Sequence, residues 1–504
     1  MSKKYLYGAS VQGIQSFIMK TNELKPIIGA SELVDQICTC MFDEFTDDCQ
    51  NDVEIIVRAA GNIKVIFYKK DDCDKAFLEF PRKVMSAAPS ITISQAVVCF
   101  DDNDDNAYAY AIDILEKRLR EERNQPLRPL FPGVIGMERT PKTGEPAVNM
   151  VKIGDQTDLI DFSTYKKLSV LKKEGNYKDD YRNLINKAFG DEVGKRLINN
   201  DGLIIDNNVL ADGNGWLAVV HADGNGFGKI VQELGHDREL FPKLSQTIDS
   251  CTQNAFQNAF EEVFAKEGEP YHIRPLVLSG DDVTFICRGD KAIPFVKSFL
   301  YYFEKETKSH LSELAQHAQD KHRTLLSSGL TACAGIAFMK PSYPFHYAYN
   351  LAENLCMAAK KDSKKITSAP SCLMFYKIQD SIISDWNDMA ARELKCSNGS
   401  FLFGPYYLNE QSDINLKSRW TIKKLLQKAD VLHKNNFIKT SLRKWVSAMY
   451  SNSSKAEQMI ARFCLVHPEY KKEFNEMTLK ETGLSPAYDI LTLSVISKVK
   501  SEKQ

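Results

Sequence analysis

Three aspartates carry the chemistry this chain could do. Asp281 and Asp282 follow Ser279 and Gly280 in LVLSGDDVTFIC, Leu276 to Cys287. Apolar residues run up to the pair and resume at once, which predicts two short strands joined by a tight turn with both acids at the bend. Two like charges at ~4 Å repel by roughly 4 kcal/mol at an effective dielectric of ~20. A divalent cation would remove that cost, and Mg²⁺ is usually held by one or two carboxylates together with substrate phosphates. Asp223 ends a second apolar strand, in WLAVVHADGNGFGKI, Trp216 to Ile230. There the loop Gly224, Asn225, Gly226, Phe227 and Gly228 leads into a helix start. Glycines allow close backbone approach, and a helix N-terminus favours anions. An acid at one strand end, a phosphate-compatible loop beside it and an acid pair on a hairpin make a two-metal phosphoryl-transfer set. The bland alternative, two ordinary acidic turns, fits either motif alone but accounts poorly for both together.

The elements around these residues have a repeated order. Residues 4–12 predict a strand, with helical periodicity next, interrupted near Pro26 and Gly29. Val53 to Tyr68 predicts strand, turn, strand. A helix over Lys75 to Met85, a strand at ITISQAVVCF and a helix ending in EKRLREER complete a first unit. Placing YGASVQG on VHADGNG sets Ser10 where Asp223 stands. Placing VRAAGNIKVIF on VLSGDDVTFIC sets Gly61 and Asn62 where Asp281 and Asp282 stand. Two copies of one α/β unit follow, of which only the second keeps the acids.

In that second unit, helices are predicted over Phe241 to Lys266 and Ala292 to Leu314, and a β-run over Gly329 to Lys340. YPFHYAYNLAENLCMAAKKDSKK predicts an amphipathic helix, and SAPSCLMFYKI a last strand. Lys360 and Lys361 at that helix end either reach a triphosphate or complement the helix C-terminus. The expected organisation is a first, degenerate unit over 1–124, a linker or insert over 125–212, the second unit over 213–379 and a helical C-terminal domain over 380–504. QPLRPLFPGVIGMERTPKTGEPAVNM in the insert reads as loop. Trp420 and Trp445 read as core, and the basics near Arg443 as a solvated face.

The bulk numbers agree with a globular protein. Of 504 residues, 43% are hydrophobic and 26% charged, and 65 Lys+Arg balance 66 Asp+Glu, giving a net charge of -1. No global basic field argues for nucleic acid. Neither a signal-peptide core nor a membrane-length apolar run is legible, so a cytoplasmic protein with no membrane partner is expected. The 12 cysteines form no CxxC pair, and reduced, mostly buried thiols are expected.

VQGIQSFIMKTNELKPIIGASELV, HADGNGFGKI, LSGDDVTFIC and AGIAFMKPSYPFHYAYNLAENLCMAAKK resemble the Cas10/Cmr2 large subunit of type III CRISPR systems, across most of residues 4–380. The resemblance implies an α/β (α+β) fold with two ferredoxin-like palm (nucleotide cyclase/polymerase) domains, paired face to face. It implies polymerisation of ATP into cyclic oligoadenylates, second messengers of antiviral defence, with Asp223, Asp281 and Asp282 holding two Mg²⁺ or Mn²⁺ ions. The loop 224–228, with Ser279, Gly280 and Lys360, would bind the nucleotide. Partners implied are nucleoside triphosphates, CRISPR ribonucleoprotein subunits and guide or target RNA; homo-oligomerisation is left open. Ser279 replaces the first glycine of the family's GGDD. The family often begins with a histidine-aspartate nuclease domain, whereas this chain begins at the first palm, so no DNase activity is expected. The family's zinc-binding cysteines are missing from GMERTPKTGEPAV, so no zinc is expected. Two other functions compete: a non-catalytic scaffold subunit, and a cyclic dinucleotide synthase of GGDEF type.

Overall fold

The protein is described here from a computed structural model, which covers residues 3–49, 52–59, 61–102, 106–125, 136–153, 156–171, 183–199, 204, 206–212, 215–316, 318, 320–379, 385–396, 399–410, 419–478 and 483–497. The first unit is a four-stranded antiparallel sheet of β1 (Lys3–Gln12), β2 (Val53–Ala59), β3 (Asn62–Phe67) and β4 (Thr92–Asp101), in the order β2-β3-β1-β4. Strand, helix, hairpin, helix, strand in that order is the ferredoxin-like arrangement. Its central strand β1 is covered on both faces, with Leu6, Tyr7 and Ala9 buried, which is why KYLYGASV is apolar without strict alternation.

Between the units lies a hairpin of β5 (Ala147–Ile153) and β6 (Gln156–Asp161), followed by short helices. The loop expected through Met150 therefore ends at β5. Val148 and Met150 are exposed, so no buried face stamped an alternation on this stretch. Residues 126–135 of that predicted loop lie outside the described residues.

The second unit contains β7 (Leu217–Asn225), β8 (Ile273–Ser279), β9 (Asp282–Arg288), β10 (Thr331–Met339) and β11 (Cys372–Lys377). Beyond it run β12 (Lys395–Cys396), β13 (Gly399–Ser400) and β14 (Tyr406–Tyr407). Its six-stranded sheet has the order β14-β11-β10-β7-β9-β8, so four strands repeat the first sheet and two are added. The repeat extends to register. Ser10 pairs with Asn62 as Asp223 pairs with Asp282. Each hairpin is bulged at the equivalent place, between Ile55 and Val57 in one and Pro275 and Val277 in the other.

The helix Leu24–Cys38 runs through Pro26 and Gly29 without a break. Pro26 sits in the first turn, where its missing N–H costs nothing. Gly29 is small because the backbone of Lys167 crosses it: a Cβ there would lie 1.9 Å from the Lys167 carbonyl oxygen. This helix packs on β8, joining the first unit to the second. The C-terminal region is mainly helical, with Trp420 and Trp445 buried. It is not a separate layer, since its β14 extends the second sheet by pairing with β11. All 12 cysteines are free thiols. Among the described residues, no helix is long and apolar enough to cross a membrane.

Candidate active site

The site is built where β7 ends and β9 begins. Asp223 and Asp282 are directly opposed across the two strands, so their side chains share a face. Asp281 occupies the two-residue turn with Gly280, whose φ of 61° is in the left-handed region that favours glycine. The turn and the β7 end are held together by Gly224 N–H donating to the Asp281 carbonyl at 3.2 Å. Gly224 has no room for a side chain: a Cβ would lie 2.8 Å from the Asp281 Cβ.

The acids interact strongly. Burial first, then the Asp223 charge, pushes the Asp281 carboxyl up to about 7, with Asp282 adding to it. Asp282 rises to about 7 from the same two causes together with Glu353. Asp282 Oδ1 is buried with no hydrogen-bond partner, 3.5 Å from His221 Nδ1. Burial lowers the affinity of His221 for a proton, and its Nδ1 is hydrogen-bonded with Thr284 Oγ1 at 3.1 Å. The cation present is Lys360, ion-paired with Asp223.

Among the described residues, no three His, Cys, Asp or Glu side chains close on one point as a metal-ligand set. The expected ligand cluster is therefore not closed by geometry alone, and Lys360 is ion-paired with Asp223. The residues nonetheless fit a divalent cation. An orphaned buried oxygen and two carboxyls that hold protons near neutrality both mark a deficit of positive charge.

Loop 224–228 is partly structural. Asn225 turns its side chain into the sheet, donating to Thr331 Oγ1 at 3.0 Å and the Ala369 carbonyl at 3.2 Å, so only its backbone remains for a ligand. Gly226, with φ of 80°, caps the helix Phe227–Leu234, and Phe227 packs against the core. A Cβ at Gly228 would meet nothing within 4 Å, so no packing demands glycine there.

The first unit's equivalent place has no acidic side chain. Ser10 Oγ bonds Asn62 Oδ1 at 3.2 Å, and the Arg123 guanidinium donates to Ser10 Oγ at 3.3 Å. The two units meet over a cavity of about 110 Å³ lined by Gln15, Asp35 and Gly61 of the first, Lys187 from between them, and Ser279, Asp282 and Tyr349 of the second. Gln15 bridges the units, donating to Tyr349 Oη at 3.0 Å and Glu353 Oε1 at 3.1 Å.

Residues 216–368, which contain all three acids, match the family model of the Cas10/Cmr2 second palm domain. Over that stretch the chain is similar to the Cas10/Cmr2 second palm domain. No curated protein matches the chain. Solved structures share its fold. A chain of the Csm1–Csm4 cassette in complex with cA3 is 13% identical with a TM-score of 0.55, over 98% of this chain and 70% of that one. The cassette with one ATP gives 13% and 0.52, over 99% and 70%. The Csm1–Csm4 subcomplex of the type III-A CRISPR-Csm interference complex gives 13% and 0.51, over 99% and 70%. The structure brings together Asp223, Asp281, Asp282, Gly224, Gly280 and Lys360. It adds His221, Glu353 and Asp249, which no motif singled out. His221 had a signal, standing two residues before Asp223 and so on the same strand face.

Proposed function

We propose that this Cas10-like chain is a metal-dependent nucleotidyltransferase that joins ATP into cyclic oligoadenylates, working with CRISPR ribonucleoprotein subunits. The observation that carries the reading is the opposed pair Asp223 and Asp282 with Asp281 on the adjoining turn, an acidic site short of positive charge at a cleft between two palms. Asp223, Asp281 and Asp282 would hold Mg²⁺ or Mn²⁺. Such ions, when bound, neutralise the attacked phosphate and favour the ionised 3′-hydroxyl. The chain's own residues do the rest. Gly224 lets backbone and acid approach, and the loop 226–228 offers backbone N–H groups to phosphate oxygens. Lys360, ion-paired with Asp223, would supply positive charge to a triphosphate oxygen. Ser10 and Asn62, being neutral, leave the first palm to hold the acceptor nucleotide without a metal of its own. The cavity of about 110 Å³ is below the ~300–1,000 Å³ of typical ligand pockets, so it takes part of a nucleotide and the cleft it opens into the remainder.

Binding of ATP and cyclic oligoadenylate by the Csm1–Csm4 cassettes supports the choice of nucleotide. A second reading, a non-catalytic subunit, is favoured by the Lys360–Asp223 ion pair. The two separate on incubating the purified protein with each NTP and Mg²⁺ or Mn²⁺ and identifying products by mass spectrometry. Cyclic or linear oligoadenylates that vanish in the Asp281→Ala, Asp282→Ala double variant are expected. Unchanged products in that variant would sink the metal assignment, and no product from the wild type under any condition would favour the scaffold.

A further inference from the structure

The turn bearing Asp281 and Asp282 is gripped from behind. Asp249 and Thr252 stand one helical turn apart on the helix Leu240–Val263. Asp249 Oδ1 accepts from the Gly280 N–H at 2.9 Å, and Thr252 Oγ1 donates to the Gly280 carbonyl at 2.5 Å. Both polar groups of Gly280 are thus bonded by one helix, while Gln253 holds the other Asp249 oxygen at 2.6 Å. A two-residue turn with a left-handed glycine has few other ways to move, so fixing that residue fixes the direction in which the next two side chains leave the backbone. Asp249 also lines the inter-unit cavity beside Lys187, whose ammonium is paired with Asp35 of the first unit at 2.8 Å.

We propose that Asp249 and Thr252 are positioning residues that clamp Gly280 and so set the geometry of Asp281 and Asp282. This rests on the metal-binding reading of the acidic turn and names what aims it. Asp249 touches none of the reacting atoms. Its charge is not the essential property: an Asn oxygen in the same place can accept from Gly280, whereas Ala cannot.

Two readouts test the clamp. Amide exchange across residues 278–283, followed by mass spectrometry without metal, should be at least ~10-fold faster in Asp249→Ala and in Thr252→Val than in the wild type, and near wild-type in Asp249→Asn. Exchange elsewhere in the sheet should be unchanged. Mn²⁺ titrated calorimetrically into the same proteins should bind at least ~10-fold more weakly to the Ala and Val variants, with Asn restoring most of the affinity. Exchange of the turn that is the same in all four proteins would overturn the clamp. So would Mn²⁺ affinity that falls equally in Asn and Ala variants. If Asp249→Ala does not fold, Thr252→Val and Asp249→Asn carry the comparison. A wild type that binds no Mn²⁺, yet shows the exchange pattern, would count against the metal-binding reading and leave the clamp standing.

Discussion

Asp281 and Asp282 both sit where a carboxylate is costly, and the cost has a sign that pH reveals. Each is pushed up to about 7, chiefly by burial and next by Asp223. Between the ordinary carboxylate range near 4 and about 7, the folded chain holds protons that the unfolded chain has released. The native state binds more protons in that window, so stability falls as pH rises through it. The full displacement would be worth several kcal/mol. With 43% of the Asp282 side chain exposed, solvent screening reduces its share to about 1 kcal/mol. Asp282→Asn should therefore raise the melting temperature at pH 8 in EDTA by about 2–4 °C for a domain-sized transition, and leave it unchanged at pH 4. Scanning calorimetry at both pH values checks this; equal effects at both would show that the carboxylate is not strained. The same protons compete with metal. Mn²⁺ affinity should fall about tenfold for each pH unit below 7 if one carboxyl must be emptied. Titration calorimetry between pH 5.5 and 8 reads that slope, and a flat profile would contradict it.

At the scale of elements, glycine marks where backbones come too close for a side chain. Gly335 on β10 lies under the helix Phe345–Ser363, and a Cβ there would stand 1.9 Å from the Ala352 carbonyl oxygen. That helix carries Tyr349, Glu353 and Lys360 to the site. Gly335→Ala should destabilise the protein by about 1–3 kcal/mol, read from urea unfolding, because the helix must lift off the sheet. Gly224→Ala should also cost stability, and in addition weaken Mn²⁺ binding by about 10–100-fold, because the atom it meets is the Cβ of Asp281 itself. Calorimetry that finds Mn²⁺ affinity intact would show that Asp281 has room to yield. Much at this scale is legible in the sequence. The bend at Asp281 and the register shared by the two units follow from where apolar runs stop, whereas β7 continues past Asp223 to Asn225, because Gly224 and Asn225 still pair with Ala332 and Thr331 of β10. Other elements leave no such trace. The hairpin β5–β6 is exposed on the face of Val148 and Met150, and β14 is two residues joined to the sheet by contacts remote in sequence. Asp249 reads as one polar position on a long helix, since its role exists only once the turn is folded against it.

At the scale of the whole molecule, the two units are one scaffold with unequal charge. Gln15 bonds to Tyr349 and Glu353 across the junction, Lys187 pairs with Asp35, and Gly61 lines the same cavity as Asp282. The C-terminal region is tied to the same helix as the site: the Tyr407 hydroxyl donates to Asp362 Oδ1 at 2.9 Å, two residues beyond Lys360. The duplicated fold was legible from YGASVQG and VHADGNG, but how the copies meet was not, because Gln15 and Glu353 are ordinary polar residues in sequence. The asymmetry carries the central claim: one metal centre at Asp223, Asp281 and Asp282, facing a metal-free first palm. Ser10 and Asn62 are neutral and already bonded to each other, with Arg123 beside them, so a cation has no reason to enter. The most direct measurement is a crystal structure with Mn²⁺ and a non-hydrolysable ATP analogue, read by anomalous scattering. Manganese peaks beside Asp223 and Asp282, with nucleotide in the cleft between the units, are expected. A manganese peak beside Ser10 and Asn62, or none beside Asp223 with nucleotide bound, would contradict the single acidic centre.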